Sequence, residues 1–253
     1  MCFDTDSRPP IAPVAGGAID AEEVRLTSAD GAAFRAYVAR SASPTGAGMI
    51  VLPDVRGLHR YYEELTLRLA EAGIDAIAID YFGRTAPDDD RGDGFPFMDH
   101  VGQTRYATLS ADVAAAAAAI REVDGGRVHR LFTIGFCFGG RLSFDAATMG
   151  LGLEGVIGFY GWPTGKPRND VPVPADVVDR MEGRVLGIFG GADEGIGPDA
   201  VAEWEAALAG AGVPHEVVTY PGAPHSFFDR KRAEFAEASA DAWVRVLRFV
   251  AEG

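Results

Sequence analysis

A cysteine framed by glycines is the part of this chain best suited to chemistry. In Gly135-Phe136-Cys137-Phe138-Gly139-Gly140 the thiol follows the apolar run 130–134 and precedes a helix-like stretch over 139–149. A glycine-flanked residue at a strand-to-helix turn has the geometry of a nucleophile elbow, which lifts a reactive side chain above a parallel sheet. Most elbows carry serine, an alcohol that needs a base. A thiol ionises near neutral pH, and the start of the following helix favours the thiolate. Two later loops supply partners, Gly191-Ala192-Asp193-Glu194-Gly195 and Pro221-Gly222-Ala223-Pro224-His225-Ser226. Cys137, Asp193 and His225 thus stand in the chain order of a nucleophile, acid and base triad. Plainer uses exist for each: inert core for a buried cysteine, a turn residue for Asp193, a surface loop for His225. The other histidines, His59, His100, His129 and His215, lack this order and loop position.

The elements that must hold these residues follow from the hydrophobic pattern. Apolar strands are expected at 48–52, 75–80, 130–134, 154–159, 184–190 and 215–220, with helices near 61–72, 103–122, 139–149, 198–211 and 231–251. Strands alternating with helices give a mostly parallel sheet covered on both faces, with right-handed connections. Before them, 23–26 and 33–39 flank Ser28-Ala29-Asp30-Gly31 and read as an antiparallel edge hairpin with an Asp-Gly turn. Residues 1–20 are expected to be irregular, and the Pro-rich segment 161–182 to cap the site. Nothing separates two domains, so 1–253 reads as a single α/β domain. In such a sheet function gathers at the carboxyl ends of the strands, where the elbow and both partner loops fall.

Composition narrows the classes. With 253 residues, 47% of them hydrophobic, the chain can bury a large core. A net charge of −14 argues against nucleic acid or an anionic membrane as partner. Cys2 and Cys137 alone make no disulfide framework, and a thiol redox role would need Cys2 as resolving partner for Cys137. No signal peptide and no membrane span are apparent, so the cytoplasm is the expected compartment. No metal-ligand spacing, P-loop or dinucleotide fingerprint occurs, and no cofactor is implied.

The elbow, the later Gly-Ala-Asp and Pro-His-Ser-Phe together resemble the dienelactone hydrolase family (carboxymethylenebutenolidases), from about residue 20 to the end. The resemblance implies an α/β-hydrolase fold. It also implies that Cys137 attacks the ester carbonyl of a lactone, His225 acts as base and Asp193 orients it. Phe138, just past the nucleophile, and by family analogy Val55 would offer backbone N–H groups to the oxyanion. Pro53-Asp54-Val55-Arg56-Gly57 aligns with the family's Gln-Glu-x-x-Gly, whose glutamate contacts the resting thiol; Asp54 is one methylene shorter. The family arginine that binds the substrate carboxylate is matched by Arg84.

A second departure lies after the histidine. Where the family reads His-x-Phe-x-Arg, this chain has Asp229, with Arg230 one place later. Asp229 would serve as N-cap of the last helix. Arg230, Lys231 and Arg232 would then sit in its first turn, against the helix dipole, unless Arg230 turns inward as substitute arginine. Tyr81, Phe82, Tyr160, Trp162 and Phe227 flank the active loops as a candidate apolar wall. The expected substrate is a small lactone or activated ester, which the resemblance implies carries a carboxylate, with a broad carboxylesterase as the alternative. A non-catalytic hydrolase-fold binding protein would not need the Cys137, Asp193 and His225 order. The expected assembly is a monomer or small homo-oligomer.

Overall fold

Strands buried on both faces of a parallel sheet read as continuous apolar runs. In the computed structural model, which describes residues 3–252, β3 (Ala47–Leu52), β4 (Asp75–Ile79), β5 (Arg130–Phe136), β6 (Gly155–Phe159) and β7 (Arg184–Gly190) are such runs. The half-buried β8 (His215–Tyr220) closes one edge, and the hairpin of β1 (Ala18–Thr27) and β2 (Ala33–Ser41) closes the other. The eight strands form a single sheet in the order β1-β2-β4-β3-β5-β6-β7-β8. From β4 to β8 every pairing is parallel, while β2 pairs antiparallel with both β1 and β4. This is the mostly parallel sheet with an antiparallel edge hairpin that the strand and helix pattern predicts, in the α/β-hydrolase arrangement that the family resemblance implies.

The helices are α1 (Arg60–Glu71), α2 (Phe97–Val101), α3 (Tyr106–Glu122), α4 (Phe138–Ala146), α5 (Pro198–Ala211) and α6 (Ala236–Ala251). The chain leaves β3 for β4 in one direction and returns over β3 to β5 in the other. Right-handed crossovers then put α1 and α3 on opposite faces. The reversal leaves a crevice between the carboxyl ends of β3 and β5, the place where open α/β sheets bind ligands. Loop 53–57 and the elbow meet there.

Three boundaries differ from expectation, each for a local reason. β1 begins at Ala18 because β2 runs on to Ser41 and pairs with it, and the Arg40 guanidinium reaches across to Asp20 (2.9 Å) and Glu22 (3.0 Å). α2 is a single short turn between Pro96 and Gly102, too brief to carry a period. The last helix starts at Ala236, after a 3₁₀ turn at Ala233–Phe235, with Phe235 at its N-cap. Asp229 is therefore not its cap. Its carboxylate accepts the Lys231 N–H (3.1 Å) in a separate turn, which frees the cations 230–232 from the helix dipole. Among the described residues no helix is long and apolar enough to cross a membrane. Cys2 lies outside them.

Candidate active site

The elbow is built by backbone crowding. Cys137 has φ 55° and ψ −112°, a region that costs a non-glycine residue on the order of 1–3 kcal/mol. The surroundings enforce it: the Cys137 N–H donates to the Phe159 carbonyl (3.0 Å) and its carbonyl accepts from Arg141 N–H (3.1 Å). A Cβ at position 135 would lie 1.9 Å from the Gly139 oxygen, and one at 139 would lie 2.1 Å from the Leu52 oxygen. Only glycine lets strand, turn and the loop after β3 approach so closely. Cys137 is 3% exposed, so its thiol is screened from bulk water.

The acid and the base are joined. Asp193, in the loop after β7, accepts His225 Nδ1–H at 2.6 Å on Oδ2 and the N–H groups of Gly195 (2.8 Å) and Ile196 (3.2 Å) on Oδ1. Burial opposes ionisation of Asp193, but these hydrogen bonds, led by that of His225, outweigh it and hold the carboxyl below its ordinary value. With the proton on Nδ1, the Nε2 lone pair is left for proton transfer. That nitrogen is buried and hydrogen-bonds to none of the described residues. The rings of Tyr160 (4.8 Å) and Trp162 (4.9 Å) flank the imidazole, and Trp162 Nε1–H donates to the Gly195 carbonyl (2.9 Å).

Loop 53–57 closes the other side. Phe138 is the first residue of α4, where an N–H has no partner within the helix. Next to Val55, the Asp54 N–H donates to Tyr62 Oη (2.9 Å), and Tyr81 Oη–H donates to the Pro53 carbonyl (2.9 Å). Asp54 is buried and accepts Arg56 N–H (2.8 Å) on Oδ1 and Phe3 N–H (3.0 Å) on Oδ2. Burial raises its pKa to about 6 against these hydrogen bonds. His59, in the same connection, is no rival base: burial, with the charges of Arg56 and Arg8, pushes it down to about 3.

Arg84 stands apart from this group. Its guanidinium donates to Asp112 (2.7 Å) on α3 and to Asp30 (2.5 Å) in the hairpin turn, and Asp112 also accepts the Ser28 hydroxyl. Arg230 is exposed, with its N–H on the Arg8 carbonyl (2.9 Å). Arg232, two residues on, instead lines the cleft beside His225 with Trp162, Asp193 and Glu194. No carboxylate of the described residues pairs with its side chain. Of the aromatics, Tyr81 packs on Phe138 (5.4 Å) and Phe227 on Tyr160 (5.9 Å), while Phe82 turns to Phe95 and His100. Segment 161–182 is pinned by the buried Arg141 guanidinium, which donates to the carbonyls of Lys166 (3.0 Å) and Pro172 (2.6 Å). Sequence patterns missed Arg232, and they missed Phe3, Tyr61 and Tyr62, whose contacts span long separations with no period to show them. Among the described residues no group of three or more His, Cys, Asp or Glu is placed to hold a metal ion.

Comparison with known proteins agrees with the fold. The profile of the dienelactone hydrolase family matches residues 34–252. A Salmonella typhimurium protein named "Putative carboxymethylenebutenolidase" is 32% identical over 241 residues, covering 93% of this chain and 88% of that one. A Saccharolobus solfataricus protein of the same name is 30% identical over 260 residues, covering 87% and 95%. The crystal structure of a Klebsiella pneumoniae protein described as "Putative Dienelactone Hydrolase" superposes with a TM-score of 0.80 at 30% identity, covering 92% of this chain and 100% of that one. A match of this extent, on a sheet with the elbow at the end of β5, makes the chain a hydrolase of the dienelactone hydrolase family, which acts on lactone and ester bonds.

Proposed function

We propose that this protein is a cysteine-nucleophile hydrolase that opens a lactone or cleaves an activated ester through an acyl-enzyme. The observation that carries the reading is the Asp193–His225 hydrogen bond of 2.6 Å, with Nε2 unused, on the same sheet end as a cysteine in elbow geometry. In this reading His225 Nε2 takes the Cys137 proton and Sγ attacks the carbonyl carbon. The N–H groups of Phe138 and Val55 receive the oxyanion, each worth on the order of 3 kcal/mol. The C–O bond breaks, and the leaving oxygen takes the proton from His225; in a lactone it stays tethered. Water, deprotonated by His225, then attacks the thioester, and Sγ departs and regains a proton. A thiolate suits a good leaving group such as the enolate of an enol lactone.

The names of the relatives make a carboxymethylene-bearing enol lactone the first substrate to try. For its carboxylate, Arg232 at the cleft is the better candidate than Arg84, whose guanidinium is taken, or Arg230, which is exposed. A broad carboxylesterase on the same triad is the second reading, favoured by the carboxylates Asp54 and Asp229 near the site. Segment 161–182 serves in either case as cap, through Trp162. Turnover of dienelactone and of p-nitrophenyl acetate by wild type and Cys137→Ala tests the proposal. Loss of at least a thousandfold on both is expected, with a thioester mass adduct in wild type alone. Undiminished turnover by the variant would remove Cys137 from the mechanism.

A further inference from the structure

Residues 3–8 are bound to both loops that the proposed reaction depends on. The Phe3 N–H is on Asp54, beside Val55; the Arg8 N–H is on Asp229 Oδ1 (3.2 Å), four residues after His225. Around them, Lys231 bonds Asp6 (2.5 Å) and reaches Asp4 (3.6 Å), and Arg8 Nε pairs with Glu64 on α1 (3.0 Å). Asp4 and Ser7 close a turn between themselves at 3.0 Å. The segment is therefore a strap with a fixed shape. Its inward side chain is Phe3, 2% exposed and stacked on Tyr61 at 3.8 Å. The same ring lies 5.9 Å from Phe136, the residue before Cys137, and 6.3 Å from Tyr160, whose own ring covers His225. Asp54 and Asp229, the two carboxylates at which this chain departs from the family pattern, are the strap's two anchors.

We propose that Phe3, held by the strap, is a specificity-determining residue: its ring fills the space beside the nucleophile into which a long acyl chain would extend. Short acyl groups and compact lactones are then preferred over long-chain esters. This rests on the reading of Cys137 as nucleophile. Removing the ring opens an apolar space walled by Tyr61, Tyr62, Phe136 and Tyr160, where the methylenes of an acyl chain are taken out of water.

The test compares kcat/KM for p-nitrophenyl acetate and p-nitrophenyl octanoate in wild type, Phe3→Leu and Phe3→Ala. The octanoate-to-acetate ratio is expected to rise about threefold for leucine and at least tenfold for alanine. A purely structural role for Phe3 would lower both rates together and leave the ratio where it was; that result overturns the inference. Should the alanine variant melt below the assay temperature, the leucine variant decides on the same criterion. Cys137→Ala, run on both esters, separates the two ideas. If it retains turnover, the nucleophile reading fails; if turnover is lost but the ratio ignores Phe3, only the strap's role fails.

Discussion

Two buried carboxylates face the same end of the sheet and are treated in opposite ways. Asp193 and Asp54 each accept backbone N–H groups. Only Asp193 also has an imidazole at 2.6 Å, and its carboxyl is held below the ordinary value; burial lifts Asp54 to about 6. Neutral amide donors offset part of the cost of desolvating a carboxylate, and a partner able to become cationic offsets the rest. One site keeps a committed anion under the base. The other keeps an acid close to its titration point between the strap and the loop after β3.

The sharpest way to break this comparison is to neutralise each carboxylate in turn. Asp193→Asn should cut kcat/KM by about a thousandfold to ten-thousandfold, because the imidazole loses the partner that fixes its tautomer and favours its charged form. Asp54→Asn should cost far less. Equal losses, measured on p-nitrophenyl acetate, would mean that Asp54 also acts in the proton transfers.

Stability against pH probes the second carboxylate. Folding raises the Asp54 value from 3.8 to about 6, so the folded chain holds that proton more tightly. The stability this contributes is full below about pH 4 and is lost as pH rises through about 6. The stability of wild type relative to Asp54→Asn in denaturant melts should therefore fall by about 2 kcal/mol from pH 4 to pH 7, at 1.36 kcal/mol per unit. A pH-independent gap would show that the carboxyl is solvated in solution.

The arginines sharpen the contrast further. Arg84→Ala strands Asp112, whose side chain is 2% exposed, and should cost about 1–3 kcal/mol of stability, with KM for neutral and anionic esters changing alike. Arg232→Ala should leave stability within about 0.5 kcal/mol and raise KM several-fold for a carboxylate-bearing lactone only. The reverse pattern would return the carboxylate role to Arg84.

How legible each part was depends on the range of the interactions that make it. The elbow is readable because its glycines answer to steric demands within a few residues of Cys137 and at strand ends. Strands β3 to β7 are readable because burial on both faces leaves uninterrupted apolar runs. The order of Cys137, Asp193 and His225 predicted that the last two would meet, and they do. Arg84 could not be placed from its neighbours: Asp112 lies 28 residues away and Asp30 lies 54 away. The strap was hidden for the same reason, since Phe3 reaches across 51 residues to Asp54 and Arg8 across 221 to Asp229. Local chemistry writes itself into spacing, whereas pairing between distant polar groups leaves no period behind.

Gly139 carries a consequence for the history of such sites. The α4 backbone rests on the carbonyls of Leu52 and Pro53, where even one methyl group would collide, so main chain meets main chain between the loop after β3 and the elbow. Tyr81 and Tyr62 hold the loop in place, but the limit of approach is set by main chain against main chain. A lineage that retains glycine at 135 and 139 inherits the working distance, while its walls and its strap stay open to change. Descendants can acquire a new diet without reinventing the knife.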